Sequence, residues 1–542
     1  MNALYFIIIS LVLYYFAYKF YAKFLAEKIW RLDPGVQTPA VEYNDGFEFV
    51  PTRTDVVAGH HFTSIAGAAP IVGPVVAAIY GWLPGLLWIV LGTIFLGAVH
   101  DMGALATSLR HQGRGIADYL NDLLGKRAMQ LMYIVVFFLL VLVSAVFVHV
   151  IAVLAAAFPA AVYSIWIEIP LAMVIGLMLR KNLKVNIYLV ALVAVAIMYG
   201  VISLGLMYPL VLDYRTWVII LLIYMLFAAR LPVWLLVQPR DFINGIQLII
   251  ALVICTLGVV ALVAGGAGMV VAPAVRLYPE GAPPIWPFLM VTIACGAISG
   301  WHSIVGTGTT PKQLMKETDA KVVGYGSMLA EGYLAIIALL TAVVGLGVAG
   351  YQNFYGAWGQ ASWPAVWAEG GSTIVAALGI PVAVGAAFMA VVAKSFAMTT
   401  LDSAMRFTRI AFAESVHTFK LPSFFADKTV SLIPGIAAIS ALAFSGYGMK
   451  LWPLFGASNQ ILAALALLAS AVFLKSLSRQ SGYYIIPFVI MIVTSSWAMG
   501  WSIFVQYIPT GDWMLAFIGG VVLLCGLGVV VCAVQTWFAQ NR

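Results

Sequence analysis

The stretch Gly59-His60-His61-Phe62-Thr63-Ser64-Ile65-Ala66-Gly67-Ala68-Ala69-Pro70-Ile71-Val72-Gly73-Pro74 sets two prolines and two glycines around the centre of an apolar segment. A proline inside a helix removes a backbone hydrogen bond and its ring collides with the preceding turn, so few helices stay continuous through such a run. Two readings follow: a kinked helix packed closely through small residues, or a true break. The break is the reading with chemical content, because freed peptide groups and half-helix dipoles inside a bilayer bind substrates and ions. On that reading Ser64, Gly67, Ala68 and Pro70 line a substrate site.

The surrounding chain makes a bilayer the solvent. Of 542 residues, 63% are hydrophobic and 9% charged, whereas soluble domains carry roughly a quarter charged residues. Apolar runs recur near the roughly 20 residues a spanning helix needs, without the ten-residue alternation of a membrane barrel. The expected spans are 5–21, 58–80, 84–105, 131–158, 162–179, 185–207, 217–237, 243–264, 285–306, 326–348, 381–410, 431–444, 451–474, 484–504 and 513–534. This is an all-α polytopic membrane protein of about 15 transmembrane helices.

Positive charge supports that count, since cytoplasmic loops collect Lys and Arg. Alternating the loops puts 23 of the 28 basic residues inside, among them Lys19, Arg53, Arg110, Lys184, Arg240, Lys312, Arg406, Lys475 and Arg542; only Arg215, Arg276 and Lys450 fall outside. The amino end is then outside and the carboxyl end cytoplasmic. The first run lacks a preceding basic residue and reads as a retained helix rather than a secretory signal. The net charge of +7 is dispersed through short loops, which argues against nucleic acid as a partner. No polar stretch is long enough for a soluble catalytic domain. Cys255, Cys295, Cys525 and Cys532 lie in apolar runs without metal-ligand spacing and read as small buried hydrophobes.

A second interruption is expected at Phe227-Ala228-Ala229-Arg230-Leu231-Pro232-Val233-Trp234. An arginine in hydrocarbon costs several kcal/mol unless it meets protein, water or an anion, so Arg230 either points inward or snorkels; the inward reading makes it an anion ligand. An offset of five helices from the first break is what an inverted five-plus-five repeat of the LeuT-like kind requires. Lys394, midway along the run after Pro381, is a counter-ion for an anionic substrate or one half of a structural pair with Asp402 or Asp101. Asp402 and Arg406, at i and i+4, suggest an ordinary surface pair.

Coupling residues are expected in Ser299-Gly300-Trp301-His302-Ser303-Ile304-Val305-Gly306-Thr307. Ser299, Ser303 and Thr307 offer hard oxygens to sodium, while His302, like His61, carries a proton near neutral pH; alternatively these hydroxyls bond to their own helix. His100 and Asp101 read as solvated or paired across loops, and His149 and Glu168 as bonded structural residues.

These motifs carry a resemblance. Asp45-Gly46, Val50-Pro51-Thr52, Gly59-His60-His61-Phe62 and Ile65 through Val75, with Leu83-Pro84-Gly85, Gly97-Ala98-Val99-His100-Asp101, Thr399-Thr400-Leu401-Asp402 and Leu451-Trp452-Pro453-Leu454-Phe455-Gly456-Ala457-Ser458-Asn459-Gln460, resemble blocks of the carbon starvation CstA family at both ends of the chain. The resemblance implies membership of the amino acid, polyamine and organocation transporters, hence a LeuT-like core. It further implies uptake of peptides, or of pyruvate with protons, in cells short of carbon. Pyruvate is an anion, which would give Arg230 or Lys394 a use.

The expected organisation is an extra helix and loop at 1–50, a ten-helix transport core at 51–411 and four additional helices at 412–542. Its function is secondary active uptake of a small organic nutrient, a pyruvate-like carboxylate or short peptide, across the inner membrane. Protons, or alternatively sodium, drive it; no cofactor is expected, and no metal site is assigned. The alternatives are sodium-coupled peptide uptake and a nutrient sensor without transport. An enzyme is disfavoured by the lack of a nucleophile–base pair or metal motif. The sequence specifies no oligomeric state.

Overall fold

A computed structural model describes residues 1–181 and 186–539; Lys184, Val185 and Arg542, used above, lie outside them. Among the described residues there is no strand, only helices and three isolated bridges. The helices are α1 (Leu4–Trp30), α2 (Thr54–Ala66), α3 (Ala69–Tyr80), α4 (Trp82–Leu109), α5 (Ile116–Leu124), α6 (Lys126–Ala157), α7 (Pro159–Met178), α8 (Ile187–Met207), α9 (Tyr214–Ala228) and α10 (Val237–Ala264). They continue with α11 (Ile285–Thr292), α12 (Gly300–Gly308), α13 (Glu317–Gly345), α14 (Trp363–Ala376), α15 (Val382–Thr418), α16 (Leu432–Phe444), α17 (Gly448–Ser476), α18 (Gly482–Thr510) and α19 (Trp513–Phe538).

Eleven of these are long and apolar enough to cross a membrane, and the bent pair α2–α3 brings the number to twelve. The expectation of fifteen spans is therefore not met by length. Runs 217–237, 285–306 and 431–444 are the difference: they fold as α9, as the two short pieces α11 and α12, and as α16. Burial ranks the helices. In α13 and α17, 89% and 94% of the apolar window is inside the protein, against 33% for α8, α10 and α19, so α13 and α17 are central and the latter three face lipid. Although α17 belongs to the stretch read as a C-terminal addition, it packs directly on α12 and α11.

The first break is real. Helix α2 ends at Gly67, whose φ of 25° and ψ of −163° suit only glycine, and α3 starts with Pro70 in its first turn, where a missing N–H costs nothing. The two pieces meet at 44°. An alanine Cβ at Gly67 would lie 2.7 Å from Thr400 Oγ1 and 3.2 Å from the Phe147 ring. Gly67→Ala is therefore expected to combine backbone strain of roughly 1–2 kcal/mol with this overlap, lowering the thermal midpoint in detergent by several degrees; an unchanged midpoint contradicts the close approach.

The chain leaves its helix at Arg230, as expected, but the interruption that meets the first break lies elsewhere. Residues 229–236 form a non-helical connection between α9 and α10, and the discontinuous helix is α11–α12, interrupted at 293–299. Between the first break and α11–α12 lie α4 and α6 to α10. The breaks themselves touch: a Cβ on Gly73 would sit 2.6 Å from the Thr292 carbonyl, and one on Gly296 3.8 Å from Pro70 Cα.

Peptide groups released inside a bilayer must find partners in the protein, and here side chains of neighbouring helices supply them. Gln460 Nε2 donates to Met290 O at 2.8 Å, Trp452 Nε1 to Thr292 O at 3.2 Å, Trp88 Nε1 to Ile293 O at 3.1 Å and Thr93 Oγ1 to Gly296 O at 3.1 Å. Across the gap, Trp301 Nε1 donates to Ser64 O at 2.8 Å, tying α12 to the end of α2.

One end of the bundle gathers several of the charges assigned to the inner side. Arg110 Nε meets Glu317 Oε1 at 2.6 Å, and Lys312 Nζ meets Glu48 Oε2 at 3.1 Å. In the loop before α2, Asp45 Oδ1 accepts the backbone N–H groups of Phe47, Glu48 and Phe49. These bonds hold its carboxyl below the usual carboxylate range. The loop thus gains stability above the ordinary carboxylate pKa and loses it as the pH falls through the lowered one.

Candidate functional site

Where the breaks meet, a small cavity is lined by Gly67 and Ala69 of the first, Cys295 of the second, Phe147 of α6, Thr400 of α15 and Phe455 of α17. It holds about one water molecule in this closed arrangement. Of the expected substrate residues, Gly67 forms the bend itself, with Ala68 beside it and Pro70 in the first turn of α3. Ser64 is drawn elsewhere: its Oγ donates to Asp241 Oδ2 at 3.1 Å, and the same oxygen lies 2.8 Å from His60 Nδ1.

Beside Cys295 runs a chain of buried ionisable groups. His100 Nδ1 is 2.7 Å from Asp101 Oδ1, Asp101 Oδ2 is 2.9 Å from His302 Nδ1, and His302 Nε2 is 3.1 Å from Glu331 Oε2. All four side chains are fully enclosed. They come from α4, α12 and α13, so the array ties the second piece of the broken helix α11–α12 to two long spans. The expectation that His100 and Asp101 are solvated is corrected: α4 continues to Leu109 and carries both inside. Both Glu331 oxygens lack a hydrogen bond of good angle, which is costly in a low-dielectric interior unless the group has a task.

The remaining coupling residues divide. His61 Nδ1 pairs with Thr310 Oγ1 at 2.8 Å. Ser299 Oγ accepts from Asn459 Nδ2 at 2.9 Å and lies 3.3 Å from Cys295 Sγ. Ser303 and Thr307 donate to Gly300 O and Ser303 O, each at 2.7 Å, and thus bond to their own helix; Thr307 Oγ1 also accepts from Ile116 N at 3.1 Å.

Arg230 is not in the site. Its guanidinium is exposed and donates to Thr429 Oγ1 at 2.9 Å, because the connection it sits in lies at the edge of the bundle and snorkelling is available there. Arg230→Gln is expected to leave substrate affinity and uptake within about twofold, as for surface changes generally; loss of uptake with assembly intact would return it to the site.

Lys394 is enclosed. Its Nζ donates to Phe158 O at 2.9 Å and, among the described residues, has no carboxylate within 4.0 Å, so the pairing with Asp402 or Asp101 is not formed. The ammonium borders a second small cavity lined by Ile151, Ala155, Trp166, Trp217 and Met398. Asp402 is also not a surface partner of Arg406. It accepts from Arg240 Nη1 at 2.7 Å, and Arg240 Nε meets Glu168 Oε1 at 2.8 Å, with Tyr224 and Asn244 completing the cluster. Arg240, expected in a cytoplasmic loop, is fully buried in α10.

Glu331, Asp241 and the buried role of Arg240 escaped the sequence reading. The signal was present: Glu331 is a single acid inside an apolar run, the same anomaly that drew attention to Arg230 and Lys394.

Two broken helices in contact, enclosed by long apolar spans and flanked by buried ionisable residues, define a multi-pass membrane protein. The chain belongs to the CstA family: the family model "Carbon starvation protein CstA" matches residues 2–362 and 357–498. It is 32% identical to the pyruvate/proton symporter BtsT of Escherichia coli (strain K12), over 93% of this chain and 82% of that one. It is likewise 32% identical to the peptide transporter CstA of Bacillus subtilis (strain 168), over 99% and 97%. Among solved structures it is similar to a manganese transporter of Eremococcus coleocola, 13% identical with a TM-score of 0.48 over 89% of this chain and 94% of that one; a likeness at that level says nothing of cargo.

Proposed function

We propose that this protein is a secondary active transporter that takes up a small carboxylate-bearing nutrient, pyruvate-like or a short peptide, together with a proton. The observation that carries the reading is the meeting of the two breaks at one cavity with the Asp101–His302–Glu331 array beside it. Substrate binds at Gly67, Ala68 and Cys295. Lys394, at the second cavity, is an enclosed ammonium with no carboxylate partner among the described residues, and it attracts the carboxylate that both substrate types share. His302 between two carboxylates takes and gives the coupled proton. Support for the proton over sodium comes from the proton named for the symporter relative. The basic end of the bundle faces the cytoplasm, with the amino end outside.

The test is uptake of labelled pyruvate and a labelled dipeptide into proteoliposomes under imposed proton or sodium gradients. Accumulation of one of them under the proton gradient is expected, and Lys394→Met should weaken its affinity by roughly tenfold or more, the equivalent of about 1.4 kcal/mol. Accumulation under sodium alone contradicts the coupling, and binding without any flux contradicts transport.

A further inference from the structure

The side chains beside the break also form a ligand set that the proton reading does not use. Cys295 Sγ, His302 Nε2 and a Glu331 oxygen lie within 4.8 Å of one another, and all three residues are buried. Atoms so placed share a point no more than about 2.8 Å from each, so shifts of about 0.5–0.8 Å bring them to the roughly 2.0–2.3 Å of Zn2+ bonds to sulfur, nitrogen and oxygen. Two independent features point to an occupant. Both Glu331 oxygens and His302 Nε2 are without a hydrogen bond of good geometry, although enclosed. In addition, Asp101 Oδ2 holds His302 through Nδ1 at 2.9 Å, which is the outer carboxylate that fixes a metal-bound imidazole and leaves Nε2 free for the ion.

We propose that Cys295, His302 and Glu331 bind one zinc-like divalent cation, with Asp101 as the residue that orients His302. A thiolate, an imidazole and a carboxylate suit a borderline-soft ion better than the hard, oxygen-seeking Mg2+ or Ca2+. The two ligand anions balance its charge in a dry interior. Three protein ligands leave one position open toward the cavity that Cys295 also lines. Because thiolate and neutral imidazole are required, the ion enters as protons leave. Bound zinc therefore occupies the group that would carry the coupled proton and arrests uptake; this consequence rests on the function proposed above, whereas binding itself does not.

The experiment uses the full chain, purified without a histidine tag, treated with chelator and titrated with Zn2+ by calorimetry, then with Co2+ as an optical probe. One Zn2+ per chain is expected, and the Co2+ form should show the sulfur-to-metal charge-transfer absorption of a thiolate ligand. Cys295→Ser should remove that absorption and weaken Zn2+ binding at least tenfold, as should Glu331→Gln. Cys255→Ser, at a cysteine whose nearest polar partner is Met389 Sδ at 4.0 Å, should change neither. Thermal unfolding of each variant separates loss of a ligand from loss of the fold. No binding to the wild-type chain, or binding unchanged in folded Cys295→Ser and Glu331→Gln, overturns the site. Zinc that binds as expected but leaves proton-driven uptake untouched keeps the site and removes the proposed coupling role of His302.

Discussion

Proteoliposomes carrying His302→Gln are expected to exchange labelled for unlabelled substrate across the membrane but to fail to concentrate it under a proton gradient. Glutamine can still donate to Asp101 and face Glu331, so the array keeps most of its packing and some of its polar contacts. What it loses is the imidazole that can take and give a proton between the two carboxylates. Exchange requires only that the loaded carrier reorient, whereas accumulation requires the proton to bind and leave with the substrate. A fall in gradient-driven accumulation of about 100-fold, the lower end of what removal of a proton-transferring side chain costs, with exchange within a few-fold of wild type, is the expected pattern. Equal loss of both activities would point to a purely structural histidine, and undiminished accumulation would move the proton elsewhere.

Arg240→Met is expected to have the largest effect on stability. Glu168 and Asp402 both lean on Arg240, at 2.8 and 2.7 Å, and all three side chains are sealed from solvent. Removing the cation leaves two carboxylates facing each other in a low-dielectric interior. Breaking such a buried pair costs about 3–5 kcal/mol, while replacing the whole cluster by neutral groups is often tolerated. The single variant should therefore express poorly or aggregate on solubilisation, and the combination Arg240→Met, Glu168→Gln, Asp402→Asn should recover a monodisperse peak in gel filtration. If the single variant is as stable as wild type, the cluster is not the structural tie between α7, α10 and α15 that its geometry describes.

Much of the architecture was legible because its signals are local. Apolar runs mark the helices, and Gly67 and Pro70 interrupt the first broken helix through their own backbone restrictions, while Gly73 and Pro74 lie within α3. The second break was not legible for the opposite reason. Ile293-Ala294-Cys295-Gly296-Ala297-Ile298 contains no proline and reads as an unbroken apolar run; its departure from helix goes with donors from distant residues such as Trp452, Trp88 and Thr93. Arg230 marked a real interruption but points outward, because a long side chain near a helix end reaches the surface without cost. Asp402 and Arg406 have the spacing of a surface pair, yet α15 turns Asp402 toward Arg240, while Arg406 holds the turn after α9 through the carbonyls of Ala228 and Leu231. Spacing along one helix cannot reveal which neighbour will lie across from it.

Cys295 provides a native reporter for the place where substrate is bound. In a chelator-treated background lacking Cys255, Cys525 and Cys532, the rate at which a small thiol reagent modifies Cys295 should fall when a transported substrate is added and recover when it is washed out. A rate indifferent to saturating substrate would mean that the cargo passes somewhere other than the junction of the two interrupted helices.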